Sequence, residues 1–343
     1  MELPSPCAAC GTHGAQKRCQ CHTQRYCNET CQHLVWKTHR KRCPWQLSKK
    51  KIHIQRAHGN DSEKLLVVDI VLGEIFGQHG RLDEAEKSLL DAERISKMVL
   101  GDGPSAGVVL NLANLYQKQG KYEKAVEKYN EALTINRCFE HNEGLANSLH
   151  GLGTVFQARG QLHEAAEKYE EAKEIYLVCS SDKLPVVLGD LGSIHQQNGM
   201  FDKAMMAYTE ALELERLVCS PVSPLLNSQN TSCLLLNIAS VLVNQDRLEE
   251  AVTHTIEARR IICEIHGKKS AEAAVTLVRL GQIYIKQGKI EESLTQHHKA
   301  LRYRRRALGD CHEGVANSLC HIAEILQGTG QLLEALGKTV AQP

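Results

Sequence analysis

Eight residues near the amino terminus are of types that hold a metal ion: Cys7, Cys10, Cys19, Cys21, Cys27, Cys31, His39 and Cys43. Thiolate and imidazole suit zinc, a borderline-soft ion without redox chemistry, and eight donors fill two tetrahedral sites. The pairs Cys7/Cys10, Cys27/Cys31 and His39/Cys43 each supply two donors from one turn of chain, so little loop-closure entropy is lost. The spacing also places His39 and Cys43 on one face of a helix, one turn apart. With four protein donors per ion no position is left for water, so both sites are structural and not catalytic. A segment of about 40 residues buries too little core to fold unaided, and metal binding supplies the missing folding energy. An unstructured basic tail, a disulfide framework and an iron–sulfur cluster are the competing readings. His39 and the repeated pairing favour zinc.

Residues 7–43 resemble the MYND zinc finger: two cysteine pairs, then Tyr26-Cys27, Cys31-Gln32, Trp36, and His39 four residues before Cys43. The resemblance implies two interleaved zinc ions, one on Cys7, Cys10, Cys27 and Cys31, the other on Cys19, Cys21, His39 and Cys43. The second pair departs from the family, since Cys19 and Cys21 are separated by one residue where two are usual. Cys21 keeps the family's step to Cys27, and His22 is the reserve ligand. Such fingers take short proline-containing peptides in a shallow groove, which by resemblance is lined by Gln32 and Trp36, with Tyr26 beside them. Trp36 is equally a plug for a tiny core, and one indole can serve both ends.

Charge divides the chain. Residues 1–56 hold eleven Lys/Arg against two acids, whereas residues 57–343 hold thirty against thirty-eight, and the formal net charge is only +1. Seven thiolates and two zinc ions reduce the excess of the head to about +6. Within it, Lys49–Lys51 read as a solvated linker ahead of a nuclear import signal or a phosphate patch. No apolar run approaches the ~20 residues that span a bilayer, and the amino terminus lacks the pattern of a secretory signal. A cytoplasmic or nuclear home is expected, where clustered thiols stay reduced.

From about residue 60 the chain repeats. Gly80, Gly120, Gly160, Gly199, Asp246, Gly288 and Gly330 index seven copies, spaced 40, 40, 39, 47, 42 and 42 residues apart. Eight residues before each index stands Leu or Ile, and seven before stands Gly or Ala. Five after it stands Ala, or Ser at 293, and twelve after it Ala in the first six copies. A glycine at the index ends a helix in the left-handed conformation. Small residues on both sides then let two antiparallel helices approach closely. One such pair cannot bury its apolar stripe, so pairs must stack into one core.

This pattern resembles the tetratricopeptide repeat (TPR), and the period near 40–42 its kinesin-light-chain-like variety. The resemblance implies an all-α, right-handed TPR helical solenoid behind a small double-zinc module. The boundaries expected are 7–43 for the finger, 44–59 for a basic linker or helix, and 60–343 for about seven repeats. A loop is expected over Cys219–Ser232, which holds Pro221 and Pro224. Function in such arrays lies on the inner face of the first helices. Nine, six and two residues before the index that face carries Asn111, Asn114, Asn237 and Asn244 among other polar side chains. Amides donate to and accept from a peptide backbone, so the stripe suits an extended segment; plain solvation is the alternative. The carboxylate clamp of chaperone-binding repeats is disfavoured, because Ile70, Glu74, Asn147 and Gly151 stand where cations and an Asn are needed and only Asn111 fits.

The later cysteines show no metal spacing. Cys233 and Cys320 read as core thiols, and His297-His298 as a solvated face. Phosphate-binding, nucleophile-elbow and H-E-x-x-H motifs do not occur, nor does the cofactor segment of a SET methyltransferase. The function expected is a non-enzymatic, zinc-binding adaptor, with the finger capturing a proline-containing motif and the array a peptide or protein. The alternative is a nuclear regulator whose basic head contacts chromatin or DNA, although no base-reading helix stands out and nucleic acid is disfavoured.

Overall fold

The computed structural model describes residues 17–18, 25–26, 44–101, 103–218 and 224–328. They form two compact units, 1–181 and 182–343. In the first, strands β1 (Lys17–Arg18) and β2 (Arg25–Tyr26) pair antiparallel, Lys17 opposite Tyr26 and Arg18 opposite Arg25. Helix α1 (Pro44–His58) follows, then three helical hairpins: α2 (Glu63–Gln78) with α3 (Leu82–Leu100), α4 (Ala106–Lys118) with α5 (Tyr122–Cys138), and α6 (Asn142–Ala158) with α7 (Leu162–Val178). The second unit holds α8 (Leu184–Gln197) with α9 (Phe201–Val218), α10 (Pro224–Asn244) with α11 (Leu248–His266), α12 (Ala271–Lys286) with α13 (Ile290–Leu308), and α14 (Glu313–Gly328). Among the described residues no helix is long and apolar enough to cross a membrane.

Each hairpin turns on its index residue. Gly80, Gly120, Gly160, Gly199 and Gly288 have φ between 71° and 74°, and Asp246 adopts 60°. The next residue closes the turn, its amide donating back to the carbonyl five residues earlier: Arg81 to Phe76, Lys121 to Tyr116, Gln161 to Phe156, Met200 to His195, Arg247 to Leu242 and Lys289 to Tyr284. This satisfies carbonyls that a helix end leaves orphaned. The carbonyl of that same residue accepts the amide four residues on, that of Ala85 in the first copy and Ser293 in the sixth. One residue therefore finishes one helix and starts the next.

The small residues permit close approach. The residue nine after the index lies on the small one seven before it. A Cβ on Gly73 would sit 2.5 Å from Leu89 Cγ, one on Gly153 2.5 Å from Tyr169 Cε1, and one on Gly192 2.6 Å from Tyr208 Cε1. Tyr129 presses instead on Gly151, the residue nine before the next index, and Ala113 suffices in its own hairpin. The tyrosine hydroxyls, carried into the core, need partners, and they donate to a glutamine twelve residues back. Tyr129 reaches Gln117 Oε1 at 2.9 Å, Tyr169 reaches Gln157 Oε1 at 2.9 Å and Tyr208 reaches Gln196 Oε1 at 3.2 Å. Burial raises the Tyr208 hydroxyl to about 12 and raises that of Tyr129 as well, so both stay protonated donors.

Two expectations are corrected here. The loop expected over Cys219–Ser232 is helical from Pro224 onward, because proline at a first helical position loses no hydrogen bond and its fixed φ suits the turn. Cys233 and Cys320 are exposed rather than core thiols; Leu234 and Leu235 on one helix, and Ser318 and Ile322 on the other, point inward in their stead.

Candidate interaction surfaces

Helix α1 turns a stripe inward: Pro44, Leu47 and Ile54 are buried, while Lys50, Ile52, His53 and Arg56 are exposed. Lys51 lies in that stripe. Its ammonium is 2.7 Å from Asp69 Oδ1 on α2 and 2.8 Å from Asp91 Oδ2 on α3. Asp69 has no exposed surface, and burial raises its carboxyl above the usual range although Lys51 pulls it back. Burial also opposes the charge on Lys51, but the two carboxylates outweigh it and its pKa is raised. Lys51 thus leaves the solvated run expected of Lys49–Lys51, and the cause is Asp69, which the sequence shows only as an interruption in an apolar stretch.

Neighbouring hairpins of the first unit are stitched by charge. Lys128 on α5 reaches Glu93 on α3 at 2.8 Å, and Lys121 reaches Glu86 at 3.1 Å, with Gln119 donating to the same carboxylate at 2.9 Å. In the second unit Gln196 donates to Ser240 Oγ at 2.9 Å and Gln245 to Asp202 at 3.1 Å.

The four amides expected on an inner face divide between the units. In the first, Asn111 is half-buried and its amide donates to Glu74 Oε1 at 3.4 Å. Asn114 is exposed, and its Oδ1 lies 2.5 Å from the Tyr129 hydroxyl. In the second, Asn237 is half-buried and Asn244 exposed. The glutamines three before the index escaped the sequence reading because only some copies carry one, Gln117, Gln157, Gln196 and Gln327, while Gly77, Val243 and Ile285 stand there in the others.

His297 is the sharpest departure. Expected on a solvated face, it is fully buried, occupies the tyrosine position of its hairpin and lies on Gly281. Both ring nitrogens lack a partner, since Ile285 replaces the glutamine. Burial, with His321, His298 and Arg304 around it, lowers its pKa to about 4. His298 is exposed, as expected.

The proposed zinc ligands Cys7, Cys10, Cys19, Cys21, Cys27, Cys31, His39 and Cys43 lie outside the described residues, as do Gln32, Trp36 and the second helix of the seventh repeat; of Tyr26 the backbone alone is described. The segment joining β1 to β2 carries Cys19 and Cys21, while Cys27 continues the chain from the other end of β2. Among the described residues no group of His, Cys, Asp and Glu could hold a metal.

A family model described as MYND finger matches residues 7–43. Models described as tetratricopeptide repeat match residues 105–177, 230–291 and 272–337, and residues 187–216. No curated protein matches the chain. Among solved structures, the apo quorum sensor NprR from B. thuringiensis is similar with a TM-score of 0.65 at 16% identity, over 88% of this chain and 81% of that one. A STAND signal-transduction ATPase with a tetratricopeptide repeat sensor, from Pyrococcus horikoshii, gives 0.67 at 15%, over 90% of this chain and 46% of that one. BtubC (BKLC) from P. vanneervenii gives 0.51 at 18%, over 64% and 85%. At such identities the likeness speaks for the fold.

Proposed function

The chain belongs to the tetratricopeptide repeat proteins, with a MYND finger ahead of its array, and from that premise we propose a non-enzymatic adaptor that grips one partner at each end. Both modules are of kinds that bind proteins, and the finger is of a zinc-binding kind. The donor set fits zinc: the seven thiols of residues 7–43 and the imidazole of His39, with no carboxylate needed to complete eight. Two ions are proposed, on Cys7, Cys10, Cys27 and Cys31 and on Cys19, Cys21, His39 and Cys43. Bound zinc would supply folding energy rather than reaction chemistry. Gln32, Trp36 and Tyr26 would then line a groove for a proline-containing motif.

For the array the carrying observation is the set of amides held in place on the first helices, Asn114 by Tyr129 and Asn111 by Glu74. Fixed amides lose little entropy when they bond a peptide backbone. Two weak sites on one chain raise each other's effective concentration. The engagement of Lys51 within the protein removes one cation from the basic run and weighs against a nucleic-acid role for the head. Full-length protein with Asn111, Asn114, Asn237 and Asn244 all changed to Ala should lose partners in a pull-down while its helix content holds. Recovery of the same partners would overturn the groove assignment, and binding that weakens steeply with salt would favour nucleic acid instead.

A further inference from the structure

The first hairpin has an uncommon dependence on a helix that belongs to no hairpin. Asp69 is wholly buried in α2, and its cation comes from Lys51 on α1. A buried carboxylate stripped of its cation is strongly destabilising. The hairpin therefore keeps its own packing only while α1 stays docked. Helix α1, at fifteen residues, is marginal by itself, since isolated helices of that length scarcely form in water. Its first turn is held by the burial of Pro44 and Leu47 and by the chain immediately before it. Pro44 is buried as the first residue of α1, and Cys43 precedes it with no linker between. Seven residues at 1.5 Å each put Lys51 about 10 Å along the helix from Pro44.

We propose that α1 transmits the metal state of the finger to the first hairpin: zinc on Cys43 fixes the start of α1, α1 presents Lys51, and Lys51 neutralises Asp69. This rests on the zinc reading above, and the coupling goes beyond it. Metal loss frees residue 43 and removes the fixed starting point of the helix, so α1 frays from its amino end. Asp69 is then left to protonate or to reach water, and α2 opens with it. The remaining hairpins, which have their own cores, do not respond.

The test is hydrogen exchange on the full chain, with zinc bound and after a chelator has stripped it, zinc content being measured in both. Amides of α2 should exchange at least about tenfold faster without zinc, while those of α12 and α13 stay unchanged. A six-residue Gly-Ser insertion between Cys43 and Pro44 should abolish the difference while leaving zinc content intact. Lys51→Met should make α2 exchange fast in both states. A chain that binds and releases zinc with α2 exchange unaltered overturns the coupling and leaves the zinc reading standing. A chain that never holds zinc overturns both.

Discussion

Lys51 and Asp69 are joined at 2.7 Å across two helices, with the carboxylate wholly buried and the ammonium mostly so. Changing Lys51 to Met removes the only cation at 2.7 Å from Asp69 and should cost about 3 kcal/mol or more in the first unit. The double variant Lys51→Met with Asp69→Leu should recover most of that loss, because the buried charge goes with its partner. Thermal melts of the two variants side by side check this. Equal melting points for wild type and Lys51→Met would show the pair to be idle.

The stacking of Tyr169 on Gly153 leaves no room for a methyl group, since a Cβ there would fall 2.5 Å from the ring. Gly153→Ala should therefore destabilise by about 1–3 kcal/mol through overpacking, despite a helix-propensity gain of ~1 kcal/mol. Gly77→Ala is the contrast. Its Cβ would meet Ala85 and Leu115 at an ordinary 4.0 Å, so the propensity gain should stand and the melting point rise. Denaturation midpoints that move the same way for both would refute the packing argument.

Asp246 occupies the left-handed position that glycine fills in the other described hairpin turns, at φ 60°. An L side chain there costs on the order of 1 kcal/mol. Asp246→Gly should raise the stability of the second unit by about 0.5–1 kcal/mol, the greater freedom of glycine in the unfolded chain offsetting part of the gain. A higher melting point without change in helix content is the expected reading.

His297 carries a pH dependence with a definite sign. Its folded pKa of about 4 lies below the ordinary 6.5, so the folded state favours the neutral ring. The stability it sustains is complete above pH 6.5 and is lost as pH falls through that value towards 4, by on the order of 3 kcal/mol. The loss should appear in melts of the second unit between pH 7 and 4. The pair of changes His297→Tyr and Ile285→Gln restores the tyrosine–glutamine bond of the other hairpins and should flatten that profile. A profile that stays as steep would place the acid sensitivity elsewhere.

The periodic features were legible because seven copies average out accident: the index glycines, the alanines on either side and the hairpin order all follow from one spacing rule. Features confined to one copy were not. Asp69 looks like a flaw in an apolar run until Lys51 arrives from another helix, forty residues' separation from Asp91 hiding the triad as well. Cys233 was assigned inward from its apolar neighbours, but a helix turned by one residue faces Leu234 inward instead. His297 stood at the offset of Tyr129, Tyr169 and Tyr208, so its burial was readable from the alignment of copies. Reading His297-His298 as one solvated pair draws attention away from that register. For the metal head the donor types spoke more plainly than any periodicity, as they do wherever ligands rather than apolar packing shape a fold.

Each hairpin turn spends one residue on two jobs, and this decides where the chain tolerates length. The 21-residue frame from eight before the index to twelve after it never varies in the first six copies, whereas the spacing between copies ranges from 39 to 47. Added residues inside a hairpin would have to unseat a helix end and its successor's beginning at once, and so would residues added at His141, which does both jobs between α5 and α6; in the 47-residue step between the fourth and fifth indices they lengthen a joint. Reporter tags and grafted binding loops belong in that longest step, and a deletion there should be survivable where one at a left-handed turn, Glu140 and Ser180 included, is not.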